Sequence, residues 1–328
     1  MTIAPAGAGD GTTSTALPIR ARPVAMRWDG RPLPRHFVGD DLLLSHVAAV
    51  LSSMFPEGEA FFVRSVRAHR GRITDPDLLA DIAGFIGQES VHAREHRALD
   101  RHLAGLGYPT RHLERRAGWA LRLLERLLTP NACLAVTAAL EHATATLAEA
   151  ILSTPEVQEL FEDDQVRRLL LWHALEECEH KRVAFEVYAT VCGDHRLRTW
   201  PLRIGIVTSA LDLLSGVATS LAFDPAARHP RALVRSARAL RHTPFAGLGM
   251  GARLWDYTRR DFDPDDHDTT SLVDEWRARL FGTSGGPQPS DEVVDVAEAP
   301  ALRADDDPGV GGVVARVDEE PHAGVADR

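Results

Sequence analysis

The chain has 328 residues, 44% of them hydrophobic and 26% charged, enough to bury a substantial core as one large domain or two smaller ones. Its formal charge of −10 is uneven: residues 284–328 hold eleven Asp/Glu against three Arg, a net of −8 that leaves −2 for the rest. A near-neutral body with an acidic tail argues against a nucleic-acid partner. Three cysteines (Cys133, Cys178, Cys192) without CxxC spacing argue against a disulfide framework or a thiolate metal site.

Residues 1–36 are rich in Gly, Pro, Ala and Thr and lack an apolar period, so we expect a disordered or extended arm. They also lack a basic start followed by an apolar run, which points to a cytoplasmic protein. From residue 37 to 282 the pattern predicts a single all-α domain. The first helix should be broken at Phe55-Pro56, proline being suited to a first helical turn. Phe55, Glu59, Phe62 and Val66 then share one face.

Asp75-Pro76 is a helix start signal, and a second helix should run to about Gly105 with Ile82, Phe85, Ile86, Glu89, His92, His96 and Leu99 inward. A long connection follows, with its own helix over residues 112–128. The third inner helix covers about 131–153, with Leu134, Ala138, Glu141, Ala145 and Ala148 aligned. The fourth covers about 163–192, aligning Leu169, His173, Glu177, His180, Ala184 and Val187.

Residues 204–223 are nearly all apolar with one charge, Asp212, and are long enough to span a bilayer. The embedded Gly, Ser and Thr favour a buried or interface helix, and membrane-surface association is the lesser reading. Arg231, Arg235, Arg238 and Arg241 form a basic stripe on the next helix. Residues 283–328 are Gly/Pro/Asp-rich and expected to be disordered.

The chemistry lies in two Glu-x-x-His pairs, Glu89/His92 and Glu177/His180, each preceded by a helix with one inward glutamate, Glu59 and Glu141. A Glu and a His three apart lie on one helical face and can meet one metal. One Glu from each of two helices and Glu-x-x-His from the other two is the donor set of a two-metal carboxylate centre in a ferritin-like four-helix bundle with a long crossover, here with additional C-terminal helices. Four inward carboxylates are intolerable in a bundle core unless cations neutralise them. Carboxylate and imidazole without thiolate favour iron, with manganese or zinc as alternatives. Glu59, Glu89, Glu141 and Glu177 are thus the candidate catalytic carboxylates, and His92 and His180 complete the ligand set. His173 and His96 sit one turn away on the same stripes, as an extra ligand or a supporting partner. Glu176 competes with Glu177, which alone repeats the ExxH spacing. Glu95 and Glu179 should face solvent, and His142 should be structural.

Three segments, FPEGEAFFVRSVR (55–67), GFIGQESVHAREH (84–96) and WHALEECEHKRVAFEVY (172–188), with YTRRDFDPDDHD (257–268), resemble a bacterial family of predicted metal-dependent hydrolases. The likeness covers roughly residues 36–282. The His173-x-x-x-Glu177-x-x-His180 pattern also resembles the fourth-helix ligands of di-iron arylamine N-oxygenases, which implies that His173 is a ligand. The leading expectation is an oxygen-activating di-iron oxidase or oxygenase acting on a small organic molecule, with an electron-donor partner because no nucleotide fingerprint is present. The alternative is a two-metal hydrolase of an ester, amide or phosphoryl group. A third is a non-catalytic metal-binding protein. A homodimer is a further expectation.

Overall fold

The computed structural model describes residues 32–240 and 249–282, together with 19–22, Val24, Met26 and Trp28, but not the side chains of Ile206 and Val207. The expected acidic tail, Arg241 and the first eighteen residues lie outside the described residues. Those described form helices and no strand.

Helix α1 (Leu42–Arg67) starts at Asp41, whose carboxylate accepts from Leu44 N. Contrary to the expected break, it runs through Pro56. The missing N–H removes one hydrogen bond, but buried residues on both sides (Ala49, Val50 and Ser53; Glu59, Phe61 and Phe62) hold the helix together by packing. Helix α2 (Pro76–Gly105) is capped by Asp75 and buries the whole expected stripe from Ile82 to Leu99. Helix α3 (Thr110–Leu127) forms the long connection, and α4 (Pro130–Ser153) starts at the Thr129 cap.

After the short α5 (Pro155–Glu159) comes α6 (Asp164–His180), which ends at the last residue of its Glu-x-x-His pair; α7 (Val183–Val191) follows. The sequence suggested one unbroken helix here. Both residues at the interruption are drawn outward: Lys181 Nζ donates to His267 O at 2.7 Å, and Arg182 pairs with Asp263 at 2.8 Å. The break therefore moors the 263–267 loop beside the centre. The long α8 (His195–Ala222), α9 (Pro230–Leu240), α10 (Met250–Asp256) and α11 (Thr270–Phe281) complete the described chain.

Two apolar clusters sandwich the middle of the inner helices. One includes Leu44 and Ala49 of α1, Leu99 and Leu103 of α2, Ala148 and Leu152 of α4, and Leu169 and Trp172 of α6. The other includes Phe61 and Val66, Ile82 and Phe85, Leu134 and Ala138, and Val187 of α7. Chain direction between the clusters follows from these memberships: α1 and α6 run from the first to the second, α2 and α4 from the second to the first. Two consecutive inner helices that run the same way need a long return, and α3 supplies it. Each Leu or Phe buried in these clusters contributes about 1.5–3 kcal/mol.

Part of the N-terminal arm is built into this core. Val24 and Met26 are buried, and residues 19–22 lie extended against α2. The approach needs glycine: a Cβ at Gly84 would come 2.2 Å from Ile19 O, and one at Gly87 2.8 Å from Ala21 Cβ. Arg22 then reaches Glu176 at 2.8 Å and Glu179 at 2.7 Å.

Candidate metal centre

Between the two apolar clusters, α1 brings Glu59, α2 brings Glu89 and His92, α4 brings Glu141, and α6 brings His173, Glu177 and His180. All are buried. Their donor atoms converge in overlapping groups, within 4.8 Å of one another: Glu89, Glu141 and His180; Glu59, Glu89 and His92; His92, His173 and Glu177; and Glu59, His96 and His173.

The groups resolve into two halves. His180 Nε2 lies 3.2 Å from Glu89 and 3.3 Å from Glu141. His173 Nε2 lies 3.0 Å from Glu177 Oε1 and 3.7 Å from Glu59, and His92 Nδ1 lies 3.7 Å from Glu89. Glu89 belongs to both halves. Glu177 spans them too, with Oε1 toward His173 and Oε2 3.7 Å from His180.

Hydrogen bonds behind each imidazole set which nitrogen faces inward. His92 Nε2 donates to Glu176 Oε2 at 3.0 Å, and Glu176 is held in turn by Arg22. His180 Nδ1 donates to Gln88 Oε1 at 2.9 Å; the Gln88 amide group is oriented by donating to Glu179 and to Arg20 O. The third chain begins at a carboxylate: Ser52 Oγ donates to Asp100 at 2.8 Å and so accepts from His96 Nδ1 at 3.1 Å. His96 Nε2 is then left to accept from His173 Nδ1 at 2.8 Å. In their neutral forms all three inner histidines therefore present a bare nitrogen to the carboxylates. Lone pair facing lone pair at these distances is relieved by a metal cation or a proton between them.

The remaining polar atoms make the same demand. Both oxygens of Glu59, Glu89 and Glu141, with Glu177 Oε2, His92 Nδ1 and His180 Nε2, are buried without a hydrogen bond. In the metal-free chain, burial pushes Glu89 up to about 8, with Glu177 adding to the effect, although His180 opposes it. Burial together with Glu89 likewise lifts Glu141 to about 8, and Glu59 well above the usual carboxylate range. Glu177 and His180 form an ion pair: although burial works against both charges, Glu177 is held well down by His180 and His173, and His180 is driven well up by Glu177 and Glu141. Two divalent cations fit this donor set; a protein without them must hold protons in their place.

The sequence-derived candidates separate by geometry. Glu59, Glu89, His92, Glu141, His173, Glu177 and His180 meet at the centre. His96 approaches it, but both its nitrogens are engaged, by His173 and Ser52. Glu176 lies behind His92 and braces it. Two expectations are corrected. Glu95 is buried and accepts from Met26 N, and the Glu179 carboxylate is 5% exposed and held by Arg22 and Arg277. Both were read as solvated because the arm and α11 that cover them leave no periodic mark on α2 or α6. His142 stacks on Tyr257 and does not face the centre. The bracing residues Arg22, Gln88, Ser52 and Asp100 were not read from the sequence; Gln88, beside Glu89, and Ser52, one turn before Pro56, carried no signal of their own. The walls are aromatic: the rings of Phe55, Phe85 and Trp172 lie 5.1 Å from His173, 5.0 Å from His180 and 4.9 Å from His92.

Residues 20–268 match the family described as predicted metal-dependent hydrolase. The chain belongs to that family. The match spans most of the described helices and every residue of the centre. No curated protein and no solved structure gives a significant match. The buried Glu/His groups, which could hold metal ions, fit a family described as metal-dependent.

Proposed function

We propose that the chain is an enzyme with two divalent metal ions in a ferritin-like four-helix bundle formed by α1, α2, α4 and α6, and that its reaction is hydrolysis of a small ester, amide or phosphoryl compound. The observation that carries the two-metal reading is the set of three imidazoles braced from behind, with bare nitrogens aimed at four buried carboxylates. Glu141 and His180 would hold one ion and Glu59, His92 and His173 the other, with Glu89 and Glu177, which reach both halves, completing the donor set. Bound metal would polarise a substrate carbonyl or phosphoryl oxygen and make a water nucleophilic near neutral pH. The protein's own part is orientation and dryness. Glu176, Gln88 and His96 fix the imidazoles, and Phe55, Phe85 and Trp172 keep bulk water from the ions.

The family description supports hydrolysis over the oxygen chemistry that the ligand pattern suggests. Oxygen activation by an iron pair stays as a second reading because His173 adds a third imidazole to a centre enclosed by helices rather than loops. That reading adds an electron-donor partner; both fit a cytoplasmic protein. Metal exchange separates the two. The full chain is loaded with zinc or with iron, then assayed against ester, amide and phosphoester panels and for oxygen consumption. Turnover with redox-inert zinc is the expected result. Turnover confined to iron and coupled to oxygen uptake would replace hydrolysis by oxidation.

A further inference from the structure

Beyond the centre lie a buried Ser220–His46–Asp224 chain, a basic groove along α9, and an apolar surface shared by α3 and α8. The first is fully enclosed, with no room for a substrate beside Ser220. The groove has arginines but, among the described residues, no buried unpartnered polar group to define a ligand. The α3/α8 surface carries more.

Among the described residues, six of the nine large hydrophobic side chains that stand exposed belong to two neighbouring helices: Trp119, Leu123 and Leu127 on α3, and Ile204, Leu211 and Leu214 on α8. Their exposure is high: 65% for Trp119, 73% for Leu127 and 65% for Leu214. The two helices are tied by Arg116 of α3, which pairs with Asp212 at 3.0 Å and donates to Ser215 Oγ at 2.9 Å. Trp119, Leu123 and Leu127 follow Arg116 at steps of three, four and four, so they lie on the side of α3 that adjoins α8. On α8, Ile204 and Leu211 lie on the stripe that leads to Ser215. The two apolar faces therefore adjoin.

Along the far flank of α3 run Arg111, Arg115 and Arg126, all exposed and without an acidic partner among the described residues. The acids nearby are already used: Glu57 pairs with Arg97 and Arg122, Glu114 with Arg97, and Glu125 with Arg64. A tryptophan and leucines beside a row of unpaired arginines is the pattern of a helix lying in a bilayer interface, apolar side down and cations at headgroup level. Helix α8 adds a segment apolar enough to enter a membrane, most of it unburied in the chain. Its packed residues Gly216, Val217 and Ser220 show that it rests on the protein rather than crossing a bilayer.

We propose that the α3/α8 face docks peripherally on an anionic lipid surface. A second copy of the chain fits less well, because a two-fold contact through this face would bring the unpaired arginines of α3 toward their own counterparts. This inference is independent of the reaction assigned to the metal centre.

The test is flotation of the metal-loaded full chain with vesicles of phosphatidylcholine alone and of phosphatidylcholine with phosphatidylglycerol. Binding is expected only to the anionic vesicles and should weaken as salt rises. R115A and R126A should each lower the partition about fivefold. W119S/L127S should abolish it while leaving metal content and circular dichroism unchanged. Failure to bind anionic vesicles, or equal binding to both kinds, overturns the proposal. So does a dimer in sedimentation velocity that W119S/L127S dissolves.

Discussion

The centre of the molecule and its α3/α8 face break the same rule in opposite directions. In the centre, four carboxylates are buried where hydrocarbon belongs; on the face, Trp119, Leu127, Leu211 and Leu214 are exposed where polar groups belong. Neither arrangement is stable on its own terms. The difference lies in how each is completed. The centre is over-determined by partners inside the chain: Glu176, Gln88 and His96 fix every inward imidazole, and so rigid a donor set suits a small cation with strict geometry. The face has no such framework, only an apolar stripe and a row of cations, which suits a fluid partner rather than a shaped one.

The largest effect that would sharpen this contrast comes from Glu89, shared by both halves of the centre. E89Q should lower the bound metal from two ions to one or none and cost the loaded protein about 3–5 kcal/mol, the linkage expected of a tight ligand. In the metal-free protein the sign should reverse, because the substitution removes a buried carboxylate that has no hydrogen bond. Thermal melts with and without chelator check both signs. Equal melting changes in the two states would contradict a metal role for Glu89.

The pH dependence of the metal-free protein follows from the same residues. Glu89 and Glu141 have folded pKa values of about 8, raised above the unfolded value of about 4.3. A raised pKa means that the folded state binds protons more tightly, so their contribution is full below about 4.3 and is lost as pH rises through about 8. Urea melts of the chelated protein should therefore show falling stability across that window, and metal should remove most of the slope.

Supporting residues should have intermediate effects. E176Q and Q88A leave all seven donors in place yet loosen His92 and His180, and metal affinity should fall about 10–100-fold without loss of fold. Metal competition titrations measure this; unchanged affinity in both variants would mean that the bracing is incidental.

Smaller still is the arm. G84A would place a methyl against the Ile19 carbonyl, so the arm must shift, at a cost of about 1–3 kcal/mol. Because Arg22 would withdraw from Glu176, metal affinity should weaken slightly as well. Hydrogen exchange at residues 19–22 should quicken in this variant, and unchanged exchange would show that the arm does not depend on Gly84.

Much of the centre was legible because helical periodicity converts spacing into direction. Glu89/His92 and Glu177/His180, with Glu59 and Glu141 upstream, could be placed on inward faces without coordinates. Only the repeated ExxH spacing favours Glu177 over the adjacent Glu176; both are buried, one behind a histidine and one between two. The bracing partners were invisible for a different reason: Arg22 meets Glu176 across 154 residues and Ser52 meets His96 across 44, and such contacts have no period. Helix limits failed where tertiary packing outweighed local preference, as at Pro56, or where distant residues engage a break, as the 263–267 loop does Lys181 and Arg182. The exposure of α8 was illegible because an apolar run has the same composition whether it faces a core or stands uncovered.

Anomalous diffraction from crystals of the manganese-loaded chain decides whether seven side chains from α1, α2, α4 and α6 hold two metal ions. Two peaks are expected, one beside Glu141 and His180, the other beside Glu59, His92 and His173, with Glu89 and Glu177 between them. A single peak, or peaks away from these residues, would contradict it.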